Sequence, residues 1–255
     1  MALDFSQTGG GAATDYLDFG DTTILDGLTA LSAGGWFWLD TTPAGGVNCS
    51  VIRKDGTATP VQLNGTDGKW NAVLWSGGLK VFNGPTFAAI GTGAWVHLMM
   101  TWTTGDGDVR FYINGTLNMT AVGAATSGLS NVANVLRFGA TESAGEAYDG
   151  KMAEIAFWNR ELAAAEVASL ALGFCPLFAP RGLILYTPLV RPVTNVVGAS
   201  PTATGTDVID HPRVIYPGRA QSSYKPTPPA GGADQEPALI GGKLTQSLLL
   251  KHLVR

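Results

Sequence analysis

Charged side chains are scarce in this 255-residue chain: they make up 14% of it and sum to a net charge of −4. Proteins that hold nucleic acid present stripes of Lys and Arg that release counterions from the phosphate backbone. Nucleic acid is therefore not an expected partner. Long apolar runs are missing too, and no stretch approaches the ~20 apolar residues of a membrane span. The opening Met1-Ala2-Leu3-Asp4-Phe5 lacks both the basic start and the apolar run of a secretory signal. No membrane association is expected, and the chain reads as made and first folded in a cytoplasm.

Cysteine is nearly absent. Cys49 and Cys175 are the two in the chain, with no C-x-x-C spacing for a metal or redox pair, so free, buried thiols are expected. The three histidines, His97, His211 and His252, are far apart in sequence and form no close metal-ligand pair. His97 reads as a partly buried strand histidine. Gly9-Gly10-Gly11 lacks the strand-to-helix setting of a phosphate loop.

What the chain does have is glycine and alternation. Its 34 glycines are roughly twice the usual ~7% share, which points to many tight turns and few long helices. Val109, Phe111 and Ile113 alternate with Arg110, Tyr112 and Asn114, the period of a strand with one wet face. Asn114-Gly115 then supplies the positive φ that a two-residue hairpin turn needs. Val96, Leu98, Met100 and Trp102 likewise share one face, opposite Trp95, His97, Met99 and Thr101. Similar pieces lie near 16–19, 34–40, 48–54, 59–63, 70–75, 78–83, 117–122, 134–139 and 148–158. So many short strands suit two packed sheets. The segment Glu161–Leu170 is rich in helix formers, carries Leu162, Val167 and Leu170 as an apolar stripe and stops near Gly173; it should be one short helix. Asn-x-Ser/Thr matches begin at Asn48, Asn64, Asn114 and Asn118 and read as turn chemistry.

The composition changes after residue 175. Pro176, Pro180, Pro188, Pro192, Pro201, Pro212 and Pro217 punctuate short apolar pieces, so 176–217 should be extended chain and edge strand packed on the first region. Beyond it, 218–255 reads as a Pro/Gly-rich linker ending in an apolar arm, Leu244, Leu248, Leu249, Leu250, Leu253 and Val254. Such an arm can join a neighbouring subunit in a homo-oligomer or fold back on its own body.

The order of these pieces carries a resemblance. Tyr16-Leu17-Asp18-Phe19, Gly35-Trp36-Phe37-Trp38, Val51-Ile52-Arg53-Lys54, Trp95-Val96-His97-Leu98, Phe111-Tyr112-Ile113-Asn114-Gly115, Leu136-Arg137-Phe138-Gly139 and the block Tyr148–Leu162 together resemble the laminin G-like and pentraxin-like branch of the concanavalin A-like jelly rolls. The resemblance spans about residues 14–174. It implies an all-β, two-sheet antiparallel jelly-roll sandwich with the helix at its flank. Tyr186-Thr187-Pro188-Leu189 and Thr204–Pro212 look like the extension such domains carry in phage-encoded proteins.

Members of this superfamily bind glycans, bind proteins, hydrolyse polysaccharides or build structure, so the residues must choose. Retaining hydrolysis needs two carboxylates about 5 Å apart. The glucanases carry them alternating along one strand, whereas here Glu154 has Ala156 and Trp158 as its same-face neighbours. Glu142, Glu146, Glu161 and Glu166 read as solvated surface acids, and no catalytic residue is nominated. Resembling domains often bind calcium through rim loops, for which Asp106 and Asp108 are the local candidates, though acids in a hairpin are usually turn formers. No other cofactor is expected. Trp70, Trp75, Tyr112 and Tyr148 are the aromatics weighed for stacking on sugars, against a core role. The expectation is a non-catalytic virion structural protein, decorating or cementing a phage-like particle and joined to other virion proteins through its arm. The alternative is a carbohydrate-binding module of a host-recognition appendage, with a glycan as partner.

Overall fold

In the computed structural model, residues 2–5, 13–43, 46–143, 146–189, 195–209 and 212–217 are described. The strands in chain order are β1 (Ala2–Phe5), β2 (Tyr16–Asp21), β3 (Ala30–Leu39), β4 (Asn48–Lys54), β5 (Ala58–Asn64), β6 (Lys69–Trp75), β7 (Leu79–Thr86), β8 (Trp95–Thr103), β9 (Val109–Ile113), β10 (Thr116–Ala121), β11 (Val135–Phe138), β12 (Gly150–Trp158), β13 (Leu183–Thr187), β14 (Thr202–Thr204) and β15 (Asp207–Ile209). Among the described residues two short α-helices, α1 (Phe87–Ile90) and α2 (Ala164–Ala171), and two 3-10 turns, Thr23–Leu25 and Pro176–Phe178, interrupt them.

The strands form two antiparallel sheets, as a jelly-roll sandwich requires. The first runs β10-β9-β8-β3-β12-β1-β15, with β13 also pairing with β12. The second runs β14-β2-β11-β4-β5-β6-β7. Alternation sorts the side chains: Leu31, Phe37, Val96, Leu98, Met100, Trp102, Phe111 and Phe157 of the first sheet meet Leu17, Ile52, Leu63, Trp70, Leu74 and Phe138 of the second in one core. Trp70 and Trp102 are wholly buried, and their indole N–H groups donate to the carbonyls of Pro60 and Ala125. A buried aromatic of this kind removes ~150–250 Å² from water, worth at most roughly 4–6 kcal/mol of transfer free energy.

The Asn114-Gly115 hairpin forms as its residues dictate, with φ of 47° and 81°. The helix begins later than its composition suggests. In β3 the Ser32 hydroxyl donates to the Arg160 carbonyl and accepts from the Leu162 N–H, which holds residues 160–162 extended. Helix α2 then starts at Ala164, where the Glu166 carboxylate accepts from the Ala163 N–H and pairs with Arg160.

A bulge shapes the centre of the first sheet. Pairing of β12 with β3 shifts register between Ala153 and Ala156, and Glu154 takes a φ of 55°. Across from it, a Cβ on Gly35 would sit 2.7 Å from the Glu154 carbonyl oxygen and 2.9 Å from that of Ala153, so only glycine lets β3 pass.

Residues 183–209 contribute margin strands to both sheets. β13 continues the edge of β12 that β1 begins, β15 lies outside β1, and β14 borders β2. A second apolar cluster forms outside the sandwich, where Met99, Tyr112, Ala156 and Trp158 pack under Leu162, Val167, Leu170 and Cys175. Both cysteines are free and buried. No helix among the described residues is long and apolar enough to cross a membrane.

Candidate functional site

The outer face of the first sheet is divided into a covered half and an open half. Helix α2 and the segment after it cover the end carrying Trp158 and Met99. At the other end, Trp36 and Trp38 of β3 and Trp95 of β8 are only partly buried. Alternation puts Trp36 and Trp38 on one side of β3 with Phe37 between them in the core. The antiparallel register sets Trp95 directly beside Trp38 and His97 beside Trp36.

These pairs touch. The Trp38 and Trp95 rings meet edge to face with centroids 6.0 Å apart, and Trp36 meets the His97 ring at 5.3 Å. From β12, Lys151 lies opposite Trp38 and places its Nζ 5.0 Å from the centre of the Trp38 ring, a cation–π contact. The same ammonium donates to both carboxylate oxygens of Asp40, at 2.9 and 2.8 Å, and the Trp38 indole N–H donates to Asp40 Oδ1 at 2.9 Å. Beside it, the Thr41 hydroxyl donates to Asp149 Oδ2 at 2.7 Å. Beneath the patch, the buried Tyr148 hydroxyl donates to the Trp38 carbonyl at 2.9 Å, and burial pushes its pKa up. The result is a fixed aromatic surface rimmed by hydrogen-bonding groups.

A buried polar cluster sits where the two halves meet. Glu154, turned by the bulge, accepts from the Tyr186 hydroxyl on one oxygen at 2.5 Å and from the Tyr216 hydroxyl on the other at 2.7 Å. Burial, and then the neighbouring Glu154 carboxylate, raise the pKa of both tyrosines. Through Tyr216 this pins the segment that also pairs with Gly173 and Cys175 by backbone hydrogen bonds of Ile215. His97 and Glu154 line a cavity of about 10 Å³ between them and Phe174, about the size that holds one water. Burial pushes the His97 imidazole down to about 3, so it is neutral. Glu154 is the one carboxylate on that wall. A single acid does not make the pair that retaining glycoside hydrolysis uses.

The other residues singled out from sequence fall elsewhere. Asp106 pairs with the Arg110 guanidinium at 2.5 Å, which holds its carboxyl below the usual range, and accepts from the Asp108 N–H. Asp108 accepts from the Gly123 N–H. Both therefore act as turn formers, and among the described residues no group of three or more His, Cys, Asp or Glu gathers as a metal site. Glu146, Glu161 and Glu166 pair with Arg53, Arg110 and Arg160. Trp70, Tyr112 and Tyr148 are buried, which removes them as stacking surfaces, and Trp75 is partly buried at the end of β6. The apolar arm, Leu244 to Val254, lies outside the described residues. The exposed platform is instead Trp36, Trp38 and Trp95, and their signal was the Trp-Phe-Trp alternation itself.

A family model described as the concanavalin A-like lectin/glucanases superfamily matches residues 9–168. The chain belongs to this superfamily. Among solved structures, a candidate carbohydrate-binding protein from Bacteroides ovatus is similar to it at 16% identity and a TM-score of 0.57, over 79% of this chain and 58% of that one. The heptameric SAP-like pentraxin from Limulus polyphemus is similar at 17% identity and a TM-score of 0.51, over 80% of this chain and 94% of that one. The CBM40 of the Ruminococcus gnavus IT-sialidase, bound to α2,3-sialyllactose, shares 13% identity with a TM-score of 0.49, over 66% of this chain and 99% of that one. At these identities the likeness is one of fold. The superfamily member described here spans little more than half the length of the Bacteroides protein. No curated protein matches the sequence.

Proposed function

We propose that this chain is a non-catalytic glycan-binding module whose open sheet face holds sugar rings against Trp36, Trp38 and Trp95. The observation that carries the reading is the set of three part-exposed tryptophans on one sheet face, rimmed by Asp40, Asp149 and Lys151. An amphipathic ligand with an apolar C–H face and hydroxyl edges fits such a surface, because aromatic rings supply contact area at low conformational-entropy cost while the rim fixes orientation. The superfamily contains lectins, and the Bacteroides neighbour is described as a carbohydrate-binding candidate. These comparisons support glycan binding ahead of the virion-cementing expectation, which rests on the missing export signal, the missing catalytic set and the C-terminal arm. The heptameric assembly belongs to the Limulus pentraxin; an oligomer of the present module would raise avidity for repeating glycans in the same way.

Glycan microarray screening of the full chain, followed by calorimetry, tests the reading. Trp38→Ala and Trp95→Ala each remove an anchoring ring and are expected to weaken binding by roughly tenfold or more, in proteins that still unfold cooperatively above the temperature of the titration. EDTA is expected to leave binding in place. Wild-type affinity in both tryptophan variants would move the site elsewhere, and loss of binding with EDTA would return it to a metal-bearing rim.

A further inference from the structure

The charged groups at the open face are unevenly matched. Among the described residues Lys151 is the cation that contacts the platform, and it is held on three sides: by both oxygens of Asp40 and by the face of Trp38. Its side chain is only 19% exposed, so the ammonium faces the protein's own carboxylate rather than solvent. Asp40 is 38% exposed at the lip of the patch. Asp149 adds a second carboxylate, linked to the lip by Thr41 and by the Asp40 N–H that donates to its carbonyl. Beyond the Thr41 bond at Oδ2, Oδ1 of Asp149 takes no hydrogen bond from a described residue. The lip thus carries two carboxylates against one ammonium, and that ammonium is already paired with Asp40.

We infer that the ligand is an uncharged saccharide, a hexose or N-acetylhexosamine chain without carboxylate, sulfate or phosphate, which presupposes the glycan-binding reading and narrows it. Sugar hydroxyls are donors, and the carboxylates of Asp40, at the indole N–H edge of Trp38, and of Asp149, tied to the same lip through Thr41, are acceptors. Charge-assisted hydrogen bonds of this kind are stronger than neutral ones. An acidic sugar meets the opposite situation. To reach Lys151 it must displace Asp40, which leaves that carboxylate and Asp149 facing the ligand's own charge. Like-charge juxtaposition of this sort is how a site rejects a wrong partner.

The test uses matched pairs, the same neutral oligosaccharide with and without a terminal sialic acid, sulfate or uronic acid, titrated into the full chain at two salt concentrations. The neutral member is expected to bind at least about tenfold more tightly than its acidic counterpart, the size of effect one unpaired like-charge contact produces. Screening by salt should shrink that gap. The double variant Asp40→Asn with Asp149→Asn should narrow it further by improving acidic binding. The salt arm needs no substitution, so a variant that folds poorly does not decide the matter. Acidic members binding as tightly as neutral ones, or more tightly, would overturn the uncharged-ligand assignment and leave the glycan-binding reading standing. Retention of no glycan of either kind would instead remove the glycan-binding reading itself.

Discussion

Lys54→Met is expected to cost the fold about 3–5 kcal/mol, the effect of removing one partner from a buried ion pair. The Lys54 side chain is wholly inaccessible, and its Nζ lies 3.1 Å from Asp26, 3.2 Å from Asp21 and 2.5 Å from the Thr22 carbonyl. Asp26 is itself 5% exposed, so its carboxylate has little water to turn to when the ammonium is gone. Asp21 is about half exposed and contributes little by the same reasoning. The contacts close the loop between β2 and β3 onto the end of β4, joining residues about thirty positions apart. In a chain of this size the loss corresponds to a fall in melting temperature on the order of 10 °C. Adding Asp26→Asn to Lys54→Met should recover part of it, because the stranded charge is then absent. A melting temperature for Lys54→Met within a degree or two of wild type would show that the buried pair contributes nothing net.

Lys54 also marks where a sequence stops being readable. A lysine that ends a strand ordinarily reaches solvent, and nothing within Val51-Ile52-Arg53-Lys54 says otherwise; its burial depends on a turn around Thr23–Leu25 folding over it. The long strands were legible because period-2 alternation is sustained: β4, β6, β8 and β9 lie where their patterns put them. β1, β14 and β15 have only three or four residues each, too few for alternation to rise above chance, and they are recruited by the edges of strands already formed. The candidate site shows the same division. That Trp36 and Trp38 point away from the core follows from Phe37 pointing into it. Trp158 shares their face yet is wholly buried, its indole N–H donating to the Ala179 carbonyl, because α2 and the chain after it cover that end. Which half of the face stays open is decided by this long-range packing, and no local pattern reports it.

The same covering explains the second large effect expected, a loss of stability in mild acid that runs through His97. Its ring is enclosed between Trp36, β8 and the segment bearing Phe174 and Val214, and its Nδ1 has no hydrogen-bond partner. Glu154, the acid on the same cavity, gives one oxygen to each of Tyr186 and Tyr216. With burial as the cause, the folded-state value falls from 6.5 to about 3. Stability from keeping the imidazole neutral is therefore fully present above pH 6.5 and is lost as pH falls toward 3, since only the unfolded chain takes up the proton readily. At ~1.4 kcal/mol per pH unit, moving from pH 7.5 to 4.5 should lower the unfolding free energy by about 2–3 kcal/mol. Most of this pH range lies above the values at which carboxylates ordinarily take up protons. Asp106 and Glu166, held below the ordinary carboxylate range by hydrogen bonds from Arg110 and Arg160, begin to add their own acid sensitivity only at the lower end of this window. Urea unfolding at pH 7.5, 6.5, 5.5 and 4.5 should thus give falling midpoints for wild type. For His97→Phe, which keeps an aromatic ring beside Trp36 and forfeits no bond at Nδ1, the midpoints should be nearly flat. Parallel declines in the two proteins would mean that the imidazole can take up its proton without opening the sheet face.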